Sequence, residues 1–371
     1  MHIIFVSNFL NHHQIPFCER MCNLCDEFNF IATEPGSVQG YQKTTAADYV
    51  LNYDDKNKSK IEELIKSVDV VIFGGCSNEL IELRMSANKL SFLYSERFLK
   101  KGEWRRFIPT TYKKINDRIL KYKNNNIYVL CASGYLSHEL SLLKFPVDKC
   151  YKWGYFPECK NYDVDELISS KSKNSILWCA RMIDWKHPEI AISVAEKLRK
   201  SNIQFNMSVI GNGTLEEKMK ATVEEKHLGD CVKLLGSMSP EEVRKNMEKS
   251  QVFLMTSDRQ EGWGAVLNES MNSACAVIAN EAAGAVPYLI KDGVNGYTYT
   301  KCDVDRICDK IIELFNNEKL KKNIQKNAYA AISNEWNASV AAERLIKLSN
   351  AILSGEKSPN VFDDGVCSKS N

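Results

Sequence analysis

Two α/β domains, each a parallel sheet wrapped by crossover helices, are what this sequence predicts, and three observations predict them. The chain has 371 residues, more than one ordinary hydrophobic core organises. Short β-branched runs alternate with helical patterns from end to end, as parallel strands joined by crossover helices do. The strand count also restarts after a polar stretch, 158–175, which ends in KSKNS and lacks an apolar period; that is linker composition.

In the first half, strands are expected at 2–7, 28–33, 68–73, 91–95, 127–133 and 150–156. In the second half they are expected at 176–180, 204–210, 232–235, 252–256, 276–279 and 296–299, with helices between them. Helices should fill 303 to 349, and the closing SGEKSPNVFDDGVCSKSN has the composition of a disordered tail. The expected organisation is therefore a Rossmann-like domain over 1–158, a linker over 159–175, a second Rossmann-like domain over 176–335, a helix over 336–353 packing back on the first domain, and a tail over 354–371.

An apolar content of 44% and a charged content of 26% describe a folded, soluble protein. No run approaches the ~18 apolar residues of a membrane span, and HIIFVS after Met1 is no secretory leader. Thirteen cysteines, scattered singly through apolar segments, suit a reducing cytoplasm. The formal net charge of +2 hides an asymmetry: 97–123 holds ten Lys/Arg against Glu103 and Asp117, so this segment carries +8 and the remainder −6. Its interleaved Phe98, Trp104, Phe107, Tyr112 and Tyr122 suggest an interfacial surface for anionic lipid head groups or a phosphorylated acceptor. A solvated helix with outward lysines is the other reading.

The segment EGWGAVLNE places Glu261 and Glu269 on either side of a glycine turn and a helix start near Ala265. Glu261 should sit in the loop and Glu269 one turn inside. The N–H groups of Trp263 to Val266, behind Gly262 and Gly264, would face the same space, so an anion flanked by hydroxyls would fit. An ordinary helix start with a solvated glutamate fits the same letters. The first strand of the second domain ends in ARMIDWKHP, which puts Arg181 and Lys186 above the carboxyl end of a strand, where open α/β sheets bind ligands. Such cations can clamp a diphosphate. VIGNGT supplies a turn at Gly211 and Gly213 that can bring backbone near a nucleotide, and AAGAVP supplies another. His12, His13 and Gln14 follow the first strand and are candidates to touch a sugar or acceptor, or to cap the next helix. Glu96 and Arg97 follow the fourth, with a local ion pair as the alternative.

Together, ARMIDWK, G-x-G, SDRQEGWGAVLNESMNSACAVIAN and AAGAVP resemble the retaining nucleotide-sugar glycosyltransferases of family 4, with the two-domain GT-B fold. The resemblance is strong from 176 to 299 and looser over SNFLNHHQIPF, Gly74-Gly75 and LYSER. It implies two Rossmann-like domains facing a central cleft, the first binding the acceptor and the second the donor. It further implies that Arg181 and Lys186 grip the diphosphate, Glu261 contacts the transferred sugar, Glu269 holds the ribose, and the Gly262 to Val266 loop adds backbone donors. Ala283 stands where many members have glycine, and Tyr288 where an acidic residue is frequent. The implied activity is hexosyl transfer from a nucleotide sugar, most simply a UDP-sugar, to a glycan or lipid-linked acceptor, without a cofactor. The expected place is the cytoplasm, at the inner membrane face through 97–123.

Rival chemistries are present in fragments. Asp163-Val164-Asp165 and Asp303-Val304-Asp305 spell a metal-binding D-x-D, but one lies in the expected linker and the other at a helix start. With two cations facing the diphosphate, no metal is expected. Cys18, Cys22 and Cys25 have the spacing of a radical S-adenosylmethionine enzyme, yet with Ile15 they step by 3, 4 and 3 along a helical stripe. A dinucleotide oxidoreductase lacks its G-x-G-x-x-G after the first strand. A nucleic-acid binder could use 97–123 but is not expected.

Overall fold

A computed structural model describes residues 1–34 and 47–370 and divides the chain into two compact units, Met1–Glu158 with Trp336–Asn371, and Cys159–Glu335. The first unit is built on seven parallel strands, β1 (His2–Ser7), β2 (Glu27–Ala32), β3 (Val50–Asn52), β4 (Val70–Phe73), β5 (Ser91–Ser95), β6 (Ile127–Cys131) and β7 (Cys150–Lys152). Their order is β3-β2-β1-β4-β5-β6-β7. Helices α1 (Ile15–Leu24), α2 (Lys58–Ser67), α3 (Asn78–Ala87), α4 (Pro109–Arg118) and α5 (Leu136–Leu142) make the crossovers. Ile3, Ile4 and Val6 are all fully buried, because helices cover both faces of the sheet. Such strands read as continuous apolar runs, which is why most were visible. Strand β3 was not: it has three residues and sits on the sheet edge.

One buried cation locks this unit. Arg84, with no solvent exposure, donates to the carbonyls of Ile65, Val68, Asp69 and Leu90 at 2.7–3.0 Å. The first two lie at the carboxyl end of α2, where a cation meets the negative end of the helix dipole. Burial pulls its guanidinium down to about 10.

The second unit carries six parallel strands, β8 (Ser175–Cys179), β9 (Asn206–Ile210), β10 (Val232–Gly236), β11 (Val252–Met255), β12 (Ala276–Asn280) and β13 (Tyr297–Tyr299), in the order β10-β9-β8-β11-β12-β13. Its helices are α6 (Val164–Ser169), α7 (Pro188–Lys200), α8 (Glu216–Glu225), α9 (Pro240–Lys249), α10 (Val266–Asn272), α11 (Val286–Leu289), α12 (Val304–Asn316) and α13 (Glu318–Asn334). Local chemistry starts several of them. Pro188 opens α7, and α9 begins with a capping box in which Ser239 and Glu242 satisfy each other's backbone N–H. This is the Rossmann strand order, and winding reverses between β8 and β11. A ligand site is expected outside the carboxyl ends of those two strands.

Two boundary expectations are corrected. The expected linker 159–175 holds α6, and Lys171 within it is buried, donating to the carbonyls of Met247, Glu248 and Ser273. The expected disordered tail instead packs on the first unit. After α14 (Ala338–Leu353), which lies against α1, the Lys152 N–H donates to the Ser368 carbonyl and the Cys367 N–H to the Lys152 carbonyl, both at 2.8 Å. Val366 and Cys367 are fully buried. The physical reason is the edge of β7, whose unpaired backbone groups take a strand-like partner; composition carries no sign of that need.

Candidate functional site

At the end of β8 the chain enters a loop whose short 3-10 turn, Asp184–Lys186, carries the lysine inward. His187 takes a left-handed φ of 50° and turns the backbone into α7. The Lys186 ammonium forms an ion pair with the Glu261 carboxylate, 75 residues away, and the two side chains are only 12% and 13% exposed. The mutual attraction of a pair this buried is less screened than at the surface, with desolvation of both ions opposing it. Arg181, on the same loop, is exposed, with its guanidinium 5.5 Å from the Trp185 ring centroid. Among the described residues no carboxylate pairs with Arg181.

Glu261 is positioned by the loop that leaves β11. Its N–H donates to the Asp258 carbonyl at 3.0 Å, and its own carbonyl accepts from Gly284 at 3.1 Å, so the AAGAVP turn is fastened to it. The Trp263 carbonyl likewise accepts from Ala285 at 3.1 Å. The Trp263 side chain, fully buried, donates through Nε1 to Asn268 at 2.9 Å and serves as a packing anchor. Gly262 is buried behind it, and Gly264 has φ +94°, where a Cβ would lie 2.4 Å from Met255 Cε. Helix α10 begins at Val266, with Ala265 as its cap, so Glu269 sits about one turn inside, as the sequence suggested.

Glu269 is half-buried on α10. Burial raises its carboxyl above the usual range while Arg244 opposes the shift. Cys179, the last residue of β8, has its thiol pushed up to about 12 by burial and then by Glu269, with Lys186 acting the other way. The cysteine thus lies within electrostatic reach of both, which places Glu269 and Lys186 around the same strand end. No hydrogen bond from a described group reaches the Glu269 carboxylate, whereas Arg244 donates to its backbone carbonyl at 3.2 Å.

Other expected residues are placed differently. Gly211, at φ +131°, leaves no room for a side chain: a Cβ there would lie 1.9 Å from the Ala180 carbonyl oxygen, and one on Gly213 would lie 2.4 Å from that of Met182. These glycines let the loop after β9 press on the Arg181 loop, with the Met182 N–H donating to the Asn212 carbonyl at 2.7 Å. They shape the wall.

In the first unit, Arg97 takes part in a buried ion pair, with a distant partner where a local one was the alternative. It is 6% exposed and its Nε lies 2.9 Å from the fully buried Glu139, which also accepts from the N–H groups of Phe98 and Leu99. Glu96 accepts from the Tyr155 hydroxyl at 2.7 Å and pairs with Lys100. The His12 and His13 rings have centroids 3.7 Å apart and planes tilted by 50°, and burial pulls the His13 imidazole down to about 3, with His12 adding to the shift. Gln14 is buried and accepts from the Asn11 N–H. These side chains cluster at the carboxyl end of β1.

Residues the sequence reading missed are those that tie loops together: Trp178, Thr256, His187 and Asp258. His187 reaches Glu189 at 2.8 Å and Asp258 at 3.4 Å. Only Asp258 left a signal, since an aspartate two residues before Gln260 accepts from its N–H in an Asx turn.

The D-x-D segments have other duties. Asp163 and Asp303 cap α6 and α12, while Asp165 pairs with Lys322 and Lys326 and Asp305 with Lys197. Cys18 is fully buried on α1 and Cys22 exposed. Among the described residues no three His, Cys, Asp or Glu side chains are grouped to hold a metal, and no helix is long and apolar enough to cross a membrane. Segment 97–123 is not one helix. It contains a 3-10 turn, α4 and a second 3-10 turn; Tyr122 is buried, and Arg118 donates to the carbonyls of Gly74 and Cys76. What remains outside is Trp104, Phe107 and Tyr112, at 60%, 75% and 47% exposure.

Residues 162–331 match the family model "Glycosyl transferases group 1". The chain is 26% identical over 282 residues to the amylovoran biosynthesis glycosyltransferase AmsK of Erwinia amylovora, covering 74% of this chain and 67% of that protein. It is 27% identical over 247 residues to the poly(ribitol-phosphate) alpha-N-acetylglucosaminyltransferase of Staphylococcus aureus, covering 65% and 47%. The match thus spans about half to two thirds of the length of its curated relatives. Among solved structures, Anabaena Alr3699/HepE in complex with UDP superposes with a TM-score of 0.70 at 14% identity, over 95% of this chain and 100% of that one. Residues 162–331 are thus similar to the group 1 glycosyl transferases, within a chain of two parallel-sheet α/β units whose structural neighbours are GT-B glycosyltransferases.

Proposed function

We propose that this protein is a retaining hexosyltransferase of family 4, moving a sugar from a UDP-sugar to a glycan or lipid-linked acceptor. The observation that carries the reading is the Lys186–Glu261 pair above the winding reversal, with Arg181 on the loop that carries the lysine. A neighbour of this fold is described in complex with UDP and with UDP-glucose, and relatives are named as glycan-building transferases.

The chemistry needs little beyond these side chains. As the bond from the anomeric carbon to the diphosphate breaks, negative charge grows on the leaving oxygen and positive charge on the sugar ring. Lys186 and Arg181 stabilise the first. A donor diphosphate takes over the lysine's charge from Glu261, whose carboxylate then faces the sugar. Glu269 accepts hydrogen bonds from the ribose hydroxyls. Cations aimed beforehand need not reorganise, and losing one such group costs on the order of 10²–10³ in rate. Retention follows from attack on the same face: the leaving phosphate oxygen takes the acceptor proton while the acceptor oxygen bonds to the anomeric carbon. No protein nucleophile, cofactor or metal ion is required.

The acceptor is assigned to the first unit, near His12, His13, Gln14 and Glu96. Its exposed Trp104, Phe107 and Tyr112, with Arg105, Arg106, Lys113 and Lys114, suit an anionic membrane surface on the cytoplasmic side. Reversing Arg105 and Arg106 to glutamate should release the protein from anionic vesicles with donor hydrolysis unchanged; undiminished vesicle binding removes the membrane partner. The function itself is tested by UDP release from UDP-hexoses with the wild type, Glu261→Ala and Lys186→Ala. Both variants should keep wild-type circular dichroism and lose turnover, and wild-type turnover in either would overturn the assignment.

A further inference from the structure

The carboxyl end of β11 holds a hydroxyl whose hydrogen-bond direction is fixed by its partners. Thr256 is 1% exposed, and Trp178 Nε1 lies 2.7 Å from its Oγ1. An indole N–H can only donate, so the hydroxyl must accept there. Its own proton is left for its second partner, the backbone carbonyl of Lys186, which can only accept. The relay therefore runs one way, from the buried indole on β8, through the residue after β11, to the turn that carries the lysine. It crosses the winding reversal. The same loop holds the other member of the pair: the Asp258 N–H donates to the Trp185 carbonyl at 2.9 Å, and the Asp258 carbonyl accepts from Glu261.

We propose that Thr256 is a positioning residue, whose hydroxyl fixes the Lys186 backbone and thereby aims the ammonium at the diphosphate of the nucleotide sugar. This role rests on the reading of Lys186 given above. Thr256 does not touch the donor; it acts through the lysine. A valine in its place keeps the branched shape but takes the acceptor from the indole N–H and a donor from the Lys186 carbonyl, so the turn at 184–187 loosens. A serine keeps the hydroxyl.

The test compares Thr256→Val, Thr256→Ser and Lys186→Ala in amide hydrogen exchange without ligand and in steady-state UDP-hexose turnover. Thr256→Val should speed exchange over 184–187 by about fivefold to tenfold, the worth of one net hydrogen bond, with β9 and β12 unchanged. Its kcat should fall more than its KM rises, because the lysine's contact strengthens as leaving-group charge develops. Thr256→Ser should restore both. Wild-type exchange over 184–187 in the valine variant, or no rescue by serine, overturns the positioning role while leaving the lysine's role standing. A loosened turn together with wild-type turnover in Lys186→Ala overturns the lysine's role, and the positioning role with it. If Thr256→Val fails to fold, Trp178→Phe, which removes only the orienting donor, is read against the same two outcomes.

Discussion

Replacing Glu139 with glutamine should unfold the first unit far more readily than any exchange of a surface charge. Glu139 is fully buried; one carboxylate oxygen accepts from Arg97 Nε at 2.9 Å and the other from the N–H groups of Phe98 and Leu99 at 2.8 Å. Glutamine preserves the shape but supplies one acceptor oxygen where two are used. Its amide group must then face either the guanidinium or two backbone N–H groups, and Arg97, with a side chain 4% exposed, keeps an uncompensated charge. Breaking one partner of a buried pair costs about 3–5 kcal/mol. For a unit of this size each kcal/mol moves Tm by roughly 2–4 °C, so a fall of about 6–20 °C is expected. Urea titration followed by circular dichroism, on Glu139→Gln, Arg97→Met and the double variant, measures the loss and the coupling. A loss below about 1 kcal/mol, the range of an exposed pair, would refute the reasoning. So would an Arg97→Met protein of normal stability with a raised acceptor KM, since that pattern belongs to a substrate contact.

Gly264→Ala should cost about 1–3 kcal/mol and depress sugar transfer, because φ +94° is strained for alanine and the new methyl presses on Met255 Cε and on Glu261; thermal unfolding and UDP release check it, and wild-type values in both contradict it. Gly211→Ala should be worse, since its methyl meets a backbone oxygen that cannot rotate away. His13 has a folded pKa of about 3, well below its unfolded value near 6.5, so the unfolded chain binds the extra proton between those limits and stability is lost as pH falls through that window. His13→Leu should flatten the slope by about 1.4 kcal/mol per pH unit there; an unchanged slope in urea titrations at pH 4–6 places the titrating group elsewhere. Glu269 has the opposite sign. Its folded carboxyl is raised by burial, so the folded state holds the proton longer and stability falls as pH rises from the ordinary carboxylate range through the raised value. Glu269→Gln should therefore be more stable than wild type at neutral pH and about equal in acid, and a less stable variant at pH 7 would oppose this.

What could be read from the sequence was decided by how local its cause was. Buried parallel strands announce themselves as apolar runs, so β1, β4, β6 and β11 were visible, while β3 at the sheet edge was too short to show a pattern. Lys186 and Glu261 could be singled out because each lies on a loop directly after a strand, and sheet topology then brings the two loops together. Arg97 occupies the same kind of position and left two readings open, a substrate contact or a local ion pair; the carboxylate it pairs with, Glu139, lies 42 residues along the chain, beyond what a local reading reaches. The glycines at 211 and 213 could be read as a turn near a nucleotide or as punctuation; the carbonyls of a neighbouring loop, which only the folded chain supplies, add a separate reason for them. The tail failed for a similar reason. Polar, glycine-bearing composition describes a segment's own tendencies and omits the open edge of β7 that orders it.

Calorimetric titration of UDP and of uridine into the wild type and Lys186→Met measures directly the proposed grip of the second unit on a nucleoside diphosphate through Lys186. A charge-assisted contact is worth about 1.5–3 kcal/mol, so the variant should bind UDP roughly 10–150-fold more weakly while its affinity for uridine is unchanged. Equal UDP affinity in the two proteins, or an equal loss for UDP and uridine, would contradict the account.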